Sequence, residues 1–398
     1  MKLRSVIFWT HLAVGLCVGA IVLLMSITGI LMAFEHQLID VAESGYRSTI
    51  ASSAKDTPLA PSALVAKARE GFPEGSVAGI TMSSAQDAPA TVSFGREITL
   101  FLNPYTGVVL GRGTWLRPFL HDVEQLHRNL LLGDRGKIIT GTASLGFLGL
   151  LLSGLYLWIP RRWTKLAVKA ASLPRWNLKG RSRDWNWHNA FGLWASIPLL
   201  LVIVTGLIMS FQWANNLLFI ATGSPVPPPR NAASTSGQPQ RERPQQSGNR
   251  GDSRAPNLAG LDSLWAQIAT QSPGWQTISF RLPAPRTPGN SFLVDTSNGA
   301  RPDKRVLHTV DLRAGKITKT ETFSDNNKGR QLRMWVKPLH TGEAGGLFGQ
   351  IVAALAAGSA AVLVWTGFAL SYRRFFVRKG ERAANAAEPD PAVLRLNS

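Results

Sequence analysis

Apolar and polar positions along the chain fall into two alternating regimes. Four long apolar stretches, at roughly 6–34, 138–159, 189–213 and 347–371, are separated by polar segments too large to be simple turns. Each stretch holds about the 20 residues that carry a helix across a ~30 Å hydrocarbon core, with almost no charge inside. The pattern predicts four transmembrane helices. The first follows Lys2 and Arg4 as a signal peptide would, but its run is about twice a normal h-region, and no small-x-small site precedes Glu35. It is expected to remain as an uncleaved anchor.

The apolar stretches repeat. His11 and His188 are each followed, without a gap, by Gly15 or Gly192, by Thr28-Gly29 or Thr205-Gly206, and by Phe34 or Phe211. The other two match as well, with Leu126-His127 and Leu339-His340 followed in register by Gly154 or Gly367 and by Arg161 or Arg374. Two helices per repeat bring both copies into the membrane from the same side, which makes the relation a parallel pseudo-two-fold along the membrane normal. The polar segments look duplicated too. Ala60 to Gly71 and Leu258 to Thr270 read as helices. Thr277 to Leu282 and Ser291 to Val294 read as strands, and Phe101–Leu110 and Thr309–Thr318 carry hairpin signals.

The fold class expected is therefore an α-helical integral membrane protein, a four-helix bundle built from two parallel repeats, plus two small α+β domains. Transmembrane helices are expected over 1–36, 126–160, 188–214 and 339–372, with the α+β domains over 37–125 and 257–338. A basic loop over 161–187 and a tail over 373–398 complete the plan. The stretch 224–256, rich in Pro, Ser, Gln, Gly and Arg and without periodicity, is expected as a disordered linker.

Charge orients this plan. The 398 residues carry a formal charge of +19, yet the N-terminal tail, the 160–187 loop and the C-terminal tail hold 16 Lys/Arg against 4 acidic residues. Segment 35–137 has 10 basic and 11 acidic residues, and segment 214–346 has 17 and 9. By the positive-inside rule both termini and the basic loop face the cytoplasm, and both α+β segments face outward. The basic total is then mainly topology, and no nucleic-acid partner is expected. The one cysteine, Cys17, allows no intramolecular disulfide, and no CxxCH stands ready for covalent haem attachment.

Of seven histidines, four occupy repeat-equivalent places, His11 with His188 and His127 with His340, whereas His36, His121 and His308 have no counterpart. Thr28 follows His11 by 17 residues, about 25 Å of helix, so the first pair belongs to the inner face and the second to the outer. Pairing His11 with His127 would span most of the bilayer and is excluded by length. Two facing imidazoles without Cys or carboxylate partners suit a bis-His haem b at each level better than zinc, which wants four ligands, or magnesium, which wants oxygens. Gly15, Gly19, Gly29, Gly192 and Gly206 share faces with these histidines and leave room for a flat macrocycle or for close helix contact. The blander reading has the histidines capping helix ends at the interface. His36 and His121, at the outer edge, are weaker ligand candidates. Arg161, Arg162, Arg373 and Arg374 could pair with haem propionates or serve as topology signals alone. No GxGxxG after a strand and no Walker motif is present, so the reductant is expected to be a quinol, a cytoplasmic reductant or a partner protein.

The quartet His11…Gly15, Leu126-His127-Arg128, His188…Gly192 and Leu339-His340-Thr341-Gly342, with the domain ending Asn103-Pro104-Tyr105-Thr106-Gly107, resembles the PepSY-associated transmembrane (PepSY-TM) family. Within that family the chain looks most like the FoxB-type ferric-siderophore reductases of the Gram-negative inner membrane, which hold haem in the bundle. The resemblance implies a periplasmic PepSY-like pair over a haem-bearing bundle. It implies an oxidoreductase that passes single electrons to a periplasmic ferric siderophore and releases Fe(II) for uptake. The second unit departs from the pattern, with Asp311-Leu312-Arg313-Ala314-Gly315 where Asp-Pro-x-Thr-Gly is expected. The rival reading is a non-redox PepSY membrane protein that restrains a periplasmic protease or senses a ligand. For an iron-chelate permease, four helices without an intramembrane carboxylate make a poor translocation path, and it would need oligomerisation.

Overall fold

The computed structural model describes residues 3–46, 57–95, 98–160, 164–228, 258–282, 289–297 and 299–377. Most of the expected linker, Arg161 and Arg162, and the tail beyond 377 lie outside the described residues. In chain order the elements are helices α1 (Leu3–Ala33), α2 (Glu35–Ala42) and α3 (Pro61–Gly71), then strands β1 (Val77–Ser83), β2 (Ala90–Phe94), β3 (Ile98–Leu102) and β4 (Val109–Arg112). Helices α4 (Leu116–Asn129), α5 (Gly133–Trp158), α6 (Lys165–Ser172), α7 (Gly180–Trp194), α8 (Ser196–Ser210), α9 (Gln212–Ala221) and α10 (Leu261–Gln271) follow. Strands β5 (Thr277–Arg281), β6 (Asn290–Asp295), β7 (Arg305–Asp311) and β8 (Lys316–Glu321) precede the last helices, α11 (Lys328–Thr341) and α12 (Gly346–Tyr372). The chain divides into two compact units, one of Met1–Ala33, Val123–Phe211 and Leu339–Ser398, the other of Phe34–Asp122 and Gln212–Pro338.

The first unit is the helical one. Three of its helices are long and apolar enough to cross a membrane, and α7 with α8 makes a fourth if counted as one bent span. Helix α1 packs on α12 and α5, α12 on α7 and α8, and α5 on α8. Small residues are buried along these helices, among them Gly19 and Ser26 of α1, Gly141 and Ala143 of α5, and Ala356 and Ala360 of α12. Without an apolar gradient between helix and lipid, close backbone approach over small residues is what holds such helices together.

Three expectations about helix extent need correction. The third apolar stretch is two helices bent by 66° at Ala195, where one was expected over 188–214. Pro198 explains the break, because it has no N–H for the Trp194 carbonyl and its ring crowds that oxygen. His188 consequently sits within α7, which begins inside the segment 161–187 expected as a loop, as does α6. His127 and His340 do not lie on the spans expected over 126–160 and 339–372. They occupy the last turns of the separate helices α4 and α11. Leu130 and Leu131, with φ of 54° and 59°, reverse the chain between α4 and α5, and Gly342 (φ 82°) does so after α11.

The second unit carries one eight-stranded antiparallel sheet in the order β4-β3-β2-β1-β5-β6-β7-β8. Helices α3 and α10 pack on it, and Leu64, Leu264, Ile268, Ile80, Phe280 and Phe292 share a single core. The two segments expected as separate domains are thus halves of one sheet, joined where Ile80 of β1 faces Phe280 of β5. A four-stranded half leaves β1 or β5 as a bare edge, and pairing the two edges satisfies both. In both closing hairpins an Asx side chain makes the turn. Asn103 Oδ1 accepts from the amides of Tyr105 and Thr106, and Asp311 Oδ1 from those of Arg313 and Ala314. Gly107 and Gly315 follow at φ 73° and 57°, so the missing proline of the second hairpin changes nothing in its form.

Candidate functional site

The helical unit brings the four repeat-equivalent histidines together in two pairs. The rings of His11 and His188 lie 6.3 Å apart, centre to centre, at an interplanar angle of 82°, and those of His127 and His340 lie 6.3 Å apart at 71°. Along α1 the two sites are about 25 Å apart, the rise of the helix from His11 to Thr28, which touches His127.

The same local arrangement recurs at all four rings. Nδ1 of His11 is 2.8 Å from Ser153 Oγ, that of His127 2.9 Å from Thr28 Oγ1, that of His188 2.9 Å from Thr366 Oγ1 and that of His340 3.1 Å from Thr205 Oγ1. Each hydroxyl also donates to the carbonyl four residues back on its own helix, Gly149, Leu24, Val362 and Leu201 respectively. A hydroxyl has one proton, and here it is committed, so toward the imidazole the oxygen accepts and Nδ1 carries the hydrogen. The neutral ring then keeps a bare lone pair on Nε2, the atom that ligates metals. His340 makes this explicit, since Val202 O, which can only accept, lies 2.9 Å from its Nδ1.

The residue after each hydroxyl is glycine, and its missing side chain makes room for the ring. A Cβ added at Gly154 would stand 3.3 Å from His11 Cε1, at Gly29 3.5 Å from His127 Cε1, at Gly206 3.2 Å from His340 Cε1 and at Gly367 3.7 Å from His188 Cε1. The Ser/Thr-Gly dipeptides of α5 and α12 therefore hold the His11–His188 pair, and those of α1 and α8 hold the other.

His11 and His188 line a cavity of about 980 Å³, together with Gly15, Gly154, Gly192, Gly367 and apolar side chains such as Phe147 and Phe368. Arg4, Arg181 and Arg374 also line it. Arg4 donates to the Leu157 and Ile159 carbonyls, and Arg374 lies over the Phe8 and Trp9 rings. None of the three forms an ion pair among the described residues. Arg373, a candidate from the sequence, instead approaches the buried carboxylate of Asp184 at 3.4 Å. His36 and His121 are exposed and belong to the other unit, and His308 lies on its strand β7.

These features fit haem. Ring centres 6.3 Å apart leave each pair room for one metal bound by both imidazoles. No group of three or more His, Cys, Asp or Glu able to hold an ion exists among the described residues, so a metal already carried in a macrocycle suits two-ligand sites best. The cavity offers apolar walls for such a ring and cations for its carboxylates.

Sequence reasoning registered Thr28, Thr205 and all four glycines but missed Ser153 and Thr366. The signal was present, because each stands one residue before a repeat-matched glycine. Arg4 and Arg181 were missed because only packing selects them from the many basic residues. The chain belongs to the family described as PepSY-associated TM region, whose model matches residues 8–374. No curated protein matches the chain.

Proposed function

We propose that the protein is a haem-b oxidoreductase of the inner membrane that passes electrons outward to a ferric siderophore and releases Fe(II) for uptake. One observation carries the reading: four imidazoles in two facing pairs, each with Nδ1 tied to a hydroxyl whose own proton is already given away. In this reading the bundle is two parallel repeats, both termini are cytoplasmic, and the sheet unit is the periplasmic PepSY-like pair. The positive-inside charge pattern supports that orientation.

His11 with His188, and His127 with His340, would each hold one haem. Bound haem supplies a one-electron change of iron oxidation state. The chain supplies the rest. Ser153, Thr28, Thr366 and Thr205 hold the imidazoles in the ligating tautomer and fix their planes, which raises ligand basicity. The glycines set how closely each ring approaches its helix. Phe147, Phe368 and Gly19 exclude water beside the first pair, and Arg4, Arg181 and Arg374 would hold propionates at its mouth. Electrons enter at the cytoplasmic face from a quinol or a cytoplasmic reductant and leave at the periplasmic face. There the ferric chelate is the acceptor, and hard oxygen donors hold the resulting Fe(II) far more weakly.

The test is spectroscopic. Detergent-purified protein should show a sharp reduced α-band and about two haems per chain by pyridine haemochrome, and His11→Ala and His340→Ala should each lose about one. Reduced protein should then be reoxidised by ferric siderophore. A colourless protein that fails to take up added haem would favour a non-redox PepSY regulator of a protease.

A further inference from the structure

Helix α9 begins one residue after α8 ends and carries no charged side chain. Its two sides differ in what they meet. Ala214, Leu218 and Phe219 are buried, and this side is fastened to α11. Asn215 Oδ1 accepts from Arg333 Nε at 3.0 Å, a Cβ added at Gly329 would stand 2.6 Å from the Phe219 ring, and the Gly329 amide donates to Ser224 Oγ just beyond α9. Trp213, Leu217 and Ile220, at the i, i+4, i+7 spacing of one helix face, are 49%, 54% and 61% exposed. Water is a poor neighbour for such a stripe, and the chain's reach limits what else can cover it. Trp213 stands three residues past Ser210, the end of α8, which is at most about 10 Å of chain. The headgroup layer beside the hydrocarbon core is itself about 5–8 Å deep. Helix α2 follows α1 in the same way, after Phe34, the repeat-equivalent of Phe211, and it too exposes apolar side chains, Leu38 and Val41.

From these observations we propose that α9 is a lipid-contacting helix whose Trp213–Leu217–Ile220 stripe enters the interfacial layer of the leaflet in which α8 ends. The sheet unit thereby has a bilayer contact of its own. The inference rests on counting α7 with α8 as one span and is independent of haem. Its partner is the boundary between headgroups and acyl chains, where amphipathic helices bury an apolar face and Trp sits well. Anionic headgroups are not what it selects, because α9 has no cation to pair with them.

Spin labels read the depth, in full-length protein reconstituted into phosphatidylcholine nanodiscs, with Cys17→Ser removing the native thiol. Leu217→Cys and Ile220→Cys sample the stripe, Val204→Cys samples an exposed position of α8 about 9 Å before its end, and Gln267→Cys samples an exposed position of α10. The ratio of oxygen to nickel-chelate accessibility should be highest at Val204 and lowest at Gln267. At Leu217 and Ile220 it should stand several-fold above Gln267 and stay unchanged when phosphatidylglycerol or salt is added. Stripe labels that match Gln267 while Val204 is deep would overturn the inference and leave the span intact, whereas a Val204 label open to nickel would sink the span reading itself. Dipolar broadening at Leu217 would assign the stripe to a second copy, and shielding from both reagents without broadening would assign it to another segment of the chain. Either result overturns the proposal, as does a depth that appears only with phosphatidylglycerol.

Discussion

Thr366 Oγ1 lies 2.9 Å from Nδ1 of His188 while donating to the carbonyl of Val362 on its own helix at 2.7 Å. The hydroxyl thus fixes the imidazole tautomer as an acceptor, and the helix it belongs to pre-sets that role. Removing such an acceptor makes the ligand a weaker electron donor and favours the reduced metal. With about 1 kcal/mol per hydrogen bond, Ser153→Ala should raise the midpoint potential of its pair by roughly 40 mV. Thr366→Val removes the hydroxyl that accepts from His188 and should raise it by a similar amount. Potentiometric titration of the reduced α-band reads both, and a midpoint unmoved in either variant would contradict this role of the hydroxyls.

The glycine beside each hydroxyl is a size filter. Gly206→Val would drive a branched side chain toward His340 Cε1, which already stands 3.2 Å from the nearest added atom, and it should empty the His127–His340 pair. Gly367→Ala meets His188 at an ordinary 3.7 Å and should retain cofactor. Haem per chain, measured on both variants, would refute this if the two behaved alike.

With haem bound to both rings of a pair, planes crossed at 82° and 71° would leave the iron dxz and dyz orbitals nearly degenerate. The oxidised protein should therefore give strongly anisotropic low-spin EPR signals with low-field features. A rhombic signal of the kind parallel imidazoles produce would show that the planes turn when haem enters.

Asp184 is fully buried beside Arg183 at 2.8 Å and Arg373 at 3.4 Å. Replacing both arginines with alanine strands a buried carboxylate and should cost about 3–5 kcal/mol. Asp184→Asn should cost less, since the half-exposed arginines can turn to water. Thermal melts of the purified variants should rank them in that order.

His308 is buried in β7 with Nδ1 3.0 Å from Thr320 Oγ1, and burial pushes its pKa below the usual histidine value. The unfolded chain binds this proton more readily, so the contribution to stability is complete above about pH 6.5 and declines as pH falls from there toward the folded value. Melting curves between about pH 8 and pH 5 should show that decline in wild type and a flatter profile in His308→Phe.

Much of this molecule is written locally. Runs of about 20 apolar residues mark membrane spans because the bilayer sets a length, and strand and turn signals mark the sheet hairpins because Asn103 and Asp311 act on their own neighbours. The ungapped match of His11 to His188 and of His127 to His340 pairs the same rings that the structure brings to 6.3 Å. Other features depend on partners far along the chain. That β1 meets β5 and merges two expected domains into one sheet follows from two bare edges finding each other across a long separation. That Ser153 serves His11, that Arg4 and Arg181 share its cavity, and that Arg373 turns to Asp184 follows from helix packing, which periodicity does not encode. The chain's own pattern marks which residues are repeat-equivalent and which stretches are apolar enough to span a membrane. Only the tertiary structure decides which of them touch, because hydrogen bonds and ion pairs act over about 3–4 Å, a distance no spacing along the sequence specifies.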